Sequence, residues 1–473
     1  MNSTNTFDVK DPATGKTVGT VMNCDRTHAE EAIRAAKAAF PEWASMNPTN
    51  RSAILFRLYD LLIEHSEELS KVMTLESGKP IRESRGEVQY GANFVRWFAE
   101  ESKHLRGQTI TSLSSPASRQ LLTLYQPVGV VGLISSWNFP IAMITRKMAA
   151  ALSVGCTCVL KPPSASPLSA LYLALLAERA GVPPGVFNVV CCTSANGKQV
   201  GKALLESSDV RALSFTGSTS VGQYLIRESA GSVKKLGLEL GGNAPFIVFK
   251  DCNLEDAVEG AIASKFRNSG QTCICANRLF VEDSVCDEFT KRFVKRVREL
   301  KVSHGLEEDC DVGPLINRSA VESCEEKIRD AVEKGARVLC GGKRHILGGN
   351  FYEPTVLTNV TRDMKVFSEE SFAPIAPILR FSTEEEAIEM ANDTNAGLAS
   401  YVYSRDIGRC MRVARALEYG IVGVNEAVPS AAEAPFGGMK QSGLGREGGA
   451  SGLMEYVEEK YVCLGGLDHW SVC

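Results

Sequence analysis

The chain has 473 residues, 44% apolar and 23% charged, the proportions of an ordinary globular protein, which exclude a fibrous repeat and wholesale disorder. That length exceeds what one core sustains, so two or three domains are expected. A net charge of −4 supplies no overall basic field for nucleic acid or an anionic membrane, which leaves a small molecule as the expected partner. The N-terminal residues lack the basic-then-apolar order of a secretory signal, and no arginine-rich transit segment is visible. The 15 cysteines form no CxxC pairs and include the neighbours Cys191 and Cys192, a usage that points to reduced thiols in a cytoplasmic protein. No histidine forms a metal-binding pair, so no metal is expected.

In chain order, two helical patterns come first, around His28–Trp43 and Arg51–Ser77. The uncharged run Leu121–Thr145 is long enough to span a bilayer, but Pro127, Pro140, Ser135, Ser136 and Asn138 interrupt it, so strand, turn and helix is the expected order and no membrane partner is expected. From Val128 to Phe249 short β-rich runs alternate with helical patterns: VGVVGLI, a helix near Ile141–Ser153, CTCVL, a helix near Leu168–Ala180, FNVVCC, a helix near Lys198–Glu206, RALSF, a helix near Val221–Ser229, then APFIVF. Such β–α–β order implies a doubly wound parallel sheet that binds a dinucleotide at the carboxyl ends of its strands. A second alternating series runs from about Asn253 to Gly438, with a helix at Arg318–Gly335 and strands near Arg278–Val281 and Ile421–Val424. The segments Gln108–Gln126 and Glu455–Leu464 lie outside both series and suit an added sheet. The fold class is therefore α/β. A dinucleotide-binding domain is expected from residues 1–107 and 127–241, a catalytic domain from 242–440, and an oligomerisation element from 108–126 and 455–473.

Several segments hold residues suited to chemistry. FTGSTSVG, spanning Gly217, Ser218, Thr219 and Gly222, follows a strand and opens a helix, as a phosphate-binding turn does, though a plain glycine-containing helix start fits it equally. Cys273 in GQTCICANR sits in a tight small-residue turn; only its thiolate would be nucleophilic, and one cysteine among 15 is by itself a weak candidate. Glu239 in LGLELGG is embedded in apolar sequence that would raise its pKa toward that of a general base, with a salt-bridged glutamate as the plainer alternative. Asn138 in SSWNFP could donate its amide into a cleft or simply form the turn.

Together these segments resemble the aldehyde dehydrogenase family from Val9 to Lys460, with SSWNFP, KPPS, FTGSTSVG, LELGG, GQTCICANR, EESFAP and PFGGMKQSG in family order. The resemblance implies Cys273 as nucleophile, Glu239 as the base that activates hydrolytic water, and Asn138 with the Cys273 N–H as an oxyanion hole. It further implies that Trp137, Lys161, Ser164, Gly217, Ser218, Thr219, Gly222, Glu370 and Phe372 hold NADP or NAD. Ser164 stands where many NAD users have a glutamate, so NADP is the expected preference. Within the family the likeness is strongest to the semialdehyde-oxidising branch, which implies that Arg146, Arg267 and Ser430 grip a distal carboxylate, with succinate semialdehyde foremost. Glutarate semialdehyde and uncharged or aromatic aldehydes are the alternatives. A non-catalytic binding protein is disfavoured because Cys273, Glu239 and Asn138 are all present. Ala373, Ala427 and Pro429 depart from the family pattern and put loop shape there in doubt. Cys275, two residues from Cys273, is a candidate redox partner for it, and a homodimer or homotetramer is expected.

Overall fold

The computed structural model describes residues 5–113 and 119–465. Its first helices are Arg26–Ser45, capped by Asp25 on the N–H groups of Thr27 and His28, and Pro48–Glu64, started by Asn47 with proline at its first position. The single pattern expected over Arg51–Ser77 is two helices. His65 leaves helical geometry, and a new helix runs Ser66–Ser77.

Next comes a helix that the apolar pattern did not disclose, Ile81–Glu101. Gly86 and Gly91 dilute its signal. Gly91 is there for packing: a Cβ on it would lie 2.6 Å from Ile141, so the helix could not approach Ala142–Val154 as it does. Acidic side chains of these early helices cap later ones. Glu87 accepts hydrogen bonds from the N–H groups of Ile141 and Ala142, and Glu76 from those of Leu168 and Ser169.

The six-stranded sheet has the order Gly443–Leu444, Lys235–Glu239, Val210–Thr216, Val130–Ile134, Thr157–Lys161 and Phe187–Val189, parallel except for its first, edge strand. From Val130–Ile134 the chain winds first toward Phe187–Val189 and then back through Val210–Thr216 to Lys235–Glu239. The direction therefore reverses between Val130–Ile134 and Val210–Thr216, the point at which doubly wound sheets open a crevice. Glu239 ends a strand that the sequence reading passed over. APFIVF, assigned above to the first series, belongs elsewhere: Ala244–Val248 lies in the seven-stranded sheet between Ala276–Glu282 and Ala399–Tyr403. Gly241 and Gly242 turn the chain from one sheet to the other.

The outlying segments pair with each other. Gln120–Pro127 runs antiparallel to Val457–Leu464, with Thr109–Ile110 on its other edge. Residues 114–118 and 466–473, part of the expected oligomerisation element, lie outside the described residues. Among the described residues no helix is long and apolar enough to cross a membrane, and no group of three or more His, Cys, Asp or Glu could hold a metal ion.

Candidate active site

A cavity of about 860 Å³ opens at the sheet's reversal point. Trp137, Asn138, Lys161, Ser164, Gly217, Ser218, Cys273, Glu370 and Phe372 line it. The helix Thr219–Ser229 points its N-terminus there. Ser218, its cap, makes no side-chain capping bond and instead pairs with the Ser220 hydroxyl at 3.2 Å, so the first N–H groups are left for an anion. Gly217 lets the turn lie against the Phe215 ring, which a Cβ would meet at 2.3 Å. Thr219 faces a neighbouring polar cleft, and Gly222 reaches neither cavity: it is a packing glycine, with Leu240 2.5 Å from where its Cβ would be.

The outer wall of the cavity is the helix Ser194–Glu206, whose Ser194, Gly197, Lys198 and Gly201 line it opposite Tyr224. These residues were not singled out from sequence, although glycines at positions i and i+4 of one helix are the signal of a flat groove. Ser164 bonds Ser194 at 3.1 Å across this groove, and Lys161 lies against Gly197. At the inner end Phe372 packs edge-on to Trp137, centroids 5.7 Å apart. Phe372 itself takes φ 48°, whereas Ala373 has no positive φ, so alanine fits there without backbone strain. Glu370 accepts the Gly242 N–H at 3.1 Å, and burial pushes its carboxyl up to about 7.

Cys273 is half-buried and follows a run of left-handed residues, Asn268 (φ 49°), Ser269 (φ 57°) and Gly270 (φ 74°). Each such non-glycine residue costs on the order of 1–3 kcal/mol and persists only when the surroundings over-determine it. Here they do. Asn268 N–H donates to Glu83 at 2.7 Å and its amide to the Asn138 carbonyl at 3.1 Å. Ser269 Oγ donates to the Gly313 carbonyl, and Gln271 Oε1 accepts from the Ile316 N–H. Gly242 lies beneath the loop, where a Cβ would come 2.2 Å from the Cys273 carbonyl oxygen. Asn138 Nδ2 donates to the Gln271 carbonyl at 2.9 Å while its Oδ1 accepts from Ser136 Oγ. One amide hydrogen of Asn138 remains for the cavity.

Burial pushes the Cys273 thiol up to about 12, opposed most by Arg146, so at neutral pH the resting group is a thiol. Cys275 makes its hydrogen bonds elsewhere. The Cys275 thiol is buried and donates to the carbonyls of Lys265 and Ala276 at 3.4 and 3.5 Å, and both cysteines are free.

Behind Cys273 lies a buried charged cluster. Neither oxygen of Glu239 has a hydrogen-bond partner among the described residues. Burial holds its carboxyl well above the usual range; Glu447 adds to this, and Arg146, Lys147 and Arg446 oppose it. Glu447, not singled out from sequence, forms ion pairs with both Arg146 and Lys147. Burial alone would weaken the hold of Arg146 on its proton, but Glu447 and Glu239 more than offset that. Arg267 is half-buried, its guanidinium 5.1 Å from the Phe139 ring centre. Tyr90, on the unexpected helix, has its hydroxyl pushed up by burial and drawn back by Arg146, Ser430 and Arg267, so its phenol lies near all three.

The aldehyde dehydrogenase family profile matches residues 1–462. The NADP(+) succinate-semialdehyde dehydrogenase of Escherichia coli (strain K12) is 52% identical over 466 residues, covering 98% of this chain and 95% of its own. The 3-sulfolactaldehyde dehydrogenase of Pseudomonas putida is 52% identical over 467 residues, covering 99% and 95%. Among solved structures, succinate-semialdehyde dehydrogenase from Burkholderia pseudomallei superposes with a TM-score of 0.96 at 52% identity, covering 98% and 95%.

Proposed function

The chain belongs to the aldehyde dehydrogenase family, and on that premise we propose that it oxidises a short aldehyde with an anionic far end, succinate semialdehyde foremost, to the carboxylic acid. One observation carries the reading. Arg146, buried beside Cys273, keeps both terminal guanidinium nitrogens without a hydrogen-bond partner among the described residues. Buried donors are normally satisfied, and a buried fork with its counter-ion on one side only suits a carboxylate. Arg267 and Ser430 join Arg146 in this reading, and Tyr90 feels the charge of both arginines.

The large cavity fits NADP or NAD: free N–H groups at a helix start for the pyrophosphate, a glycine groove for the adenosine end, and Glu370 with Phe372 for the nicotinamide side. Lys161 and Ser164 offer a charge and a hydroxyl to a 2′-phosphate, which favours NADP. When bound, the nicotinamide accepts the hydride. The chain supplies the rest. Cys273 passes its thiol proton to a water in the cavity and its sulfur adds to the aldehyde carbon, and the new alkoxide is held by Asn138 Nδ2 and the Cys273 N–H; such donors contribute about 3–4 kcal/mol each. Loss of hydride leaves a thioester on Cys273. Glu239, its carboxyl raised by burial and drawn back by Arg146, Lys147 and Arg446, takes a proton from water in its ionised form, and the hydroxide releases the acid.

An aldehyde bearing a sulfonate is the second reading, favoured by equal identity to the 3-sulfolactaldehyde dehydrogenase. The working enzyme is cytoplasmic and a homodimer or homotetramer, associating through the sheet of Gln120–Pro127 and Val457–Leu464, where Leu124 and Tyr461 are exposed. Initial rates with succinate and glutarate semialdehydes, a sulfonated aldehyde, butanal and benzaldehyde, each with both cofactors, test the reading. Anionic substrates should lead; equal or better use of butanal would overturn it.

A further inference from the structure

Arg146 is gripped from two directions. Its Nε side forms an ion pair with Glu447, whose other oxygen accepts a hydrogen bond from Lys147. Its guanidinium plane lies over Phe436, 4.4 Å from the ring centre. Phe436 and Glu447 stand eleven residues apart in sequence, yet an isolated antiparallel bridge joins them. The Phe436 N–H donates to the Glu447 carbonyl at 2.6 Å, and the Glu447 N–H donates to the Phe436 carbonyl at 2.8 Å. One small backbone element thus delivers both a ring face and a counter-charge to the same guanidinium. Meanwhile Nη1 and Nη2 are buried with neither a hydrogen bond nor an ion pair, whereas Nε, also without a hydrogen bond, has Glu447 as its ion-pair partner; the carboxyl of Glu239 is near and equally unpartnered.

We propose that the Phe436–Glu447 bridge is the positioning device for anion specificity: it pins Arg146 by its Nε edge and its face, so that Nη1 and Nη2 stay aimed at the substrate's distal anion and away from Glu239. This rests on the anionic-aldehyde reading above. An unpinned arginine has several rotamers to choose from, and with Glu447 neutralised the remaining carboxylate within reach is Glu239. Arg146 then closes an internal ion pair, vacates the anion site and occupies the general base. A cation over an aromatic face is attracted to the ring, so Phe436 holds the plane while Glu447 holds the edge. Glu447 and Phe436 touch neither substrate nor cofactor in this account; they act through Arg146.

The test uses full-length protein and succinate, which carries the anion but no aldehyde, as a competitive inhibitor of butanal oxidation. Succinate should inhibit the parent, and its inhibition constant should rise about tenfold or more in Glu447→Gln, the effect of one lost charge-assisted hydrogen bond. Phe436→Leu, which keeps the bridge and the charge, should move it in the same direction by less. The ratio of kcat/KM for succinate semialdehyde over butanal should fall in step, through KM, while the KM for butanal stays within about twofold, a split that general loosening of the fold would not give. Unchanged inhibition in both variants, with the ratio lowered by Arg146→Met, overturns the clamp alone. A parent that neither prefers succinate semialdehyde nor is inhibited by succinate overturns the anionic-aldehyde reading and the clamp with it.

Discussion

Glu239→Gln separates the two halves of the proposed reaction. Glutamine keeps the shape of the buried side chain but cannot take a proton from water, and general-base assistance is worth about 10²–10⁴ in rate. Hydride loss from the Cys273 adduct precedes that step. Rapid mixing of saturating cofactor and succinate semialdehyde should therefore give a burst of about one reduced cofactor per site, then steady turnover slowed by about 10²–10⁴. The same substitution has a second signature. Glu239 faces Glu447, Arg146, Lys147 and Arg446, and burial holds its carboxyl well above the ordinary 4.5. A carboxyl whose folded pKa is raised stabilises the fold fully below its unfolded value and loses that contribution as pH rises through the folded value. Glutamine lacks this loss. Melting temperatures of parent and variant should accordingly diverge in the variant's favour as pH rises above the ordinary carboxylate range. A variant with normal steady-state turnover, or one whose melting temperature tracks the parent's at every pH, would refute the reasoning.

Ser164→Glu should shift preference from NADP toward NAD, read as the ratio of kcat/KM for the two cofactors, because a carboxylate beside Lys161 repels a 2′-phosphate and accepts a ribose hydroxyl. Gly242→Ala drives a methyl into the Cys273 carbonyl, 2.2 Å from the built Cβ; activity should fall at least about a hundredfold from a shift near 1 Å at the nucleophile, checked by initial rates on a folded variant. Arg267→Ala should weaken succinate semialdehyde use by about ten- to a hundredfold, from about 1.5–3 kcal/mol per charge-assisted bond, and leave butanal nearly unchanged. Since the Cys275 thiol is bonded toward Lys265, recovery of peroxide-treated enzyme by dithiothreitol should be the same in parent and Cys275→Ala; recovery lost only in the variant would show a disulfide between Cys273 and Cys275.

Much of the architecture was legible because strands of the first sheet are short β-branched runs punctuated by helices, a pattern that calls for parallel strands with helical crossovers. The helix Ile81–Glu101 was not, because Gly86 and Gly91 lower its local propensity, and Gly91 is kept for close packing against Ile141 and Ala142. Missing that helix hid Tyr90. Ala244–Val248 reads as the end of the first alternating series although it falls within the span 242–440 expected to be catalytic, because pattern alone gives a strand's existence, while its sheet is decided by pairing with Ala276–Glu282 and Ala399–Tyr403. Glu447 was hidden for a related reason: a glutamate in a glycine-rich stretch reads as solvated, and only the bridge to Phe436 turns it inward. Gly222 shows the reverse error, a motif glycine read for the ligand when it is kept for Leu240.

The central claim, oxidation of an anionic short aldehyde through a thioester on Cys273, is tested most directly by mass. Glu239→Gln, mixed with succinate semialdehyde and NADP and quenched in acid, should gain the mass of one succinyl group per chain, and peptide mapping should place it on Cys273. No adduct, or an adduct on any residue other than Cys273, would contradict the account.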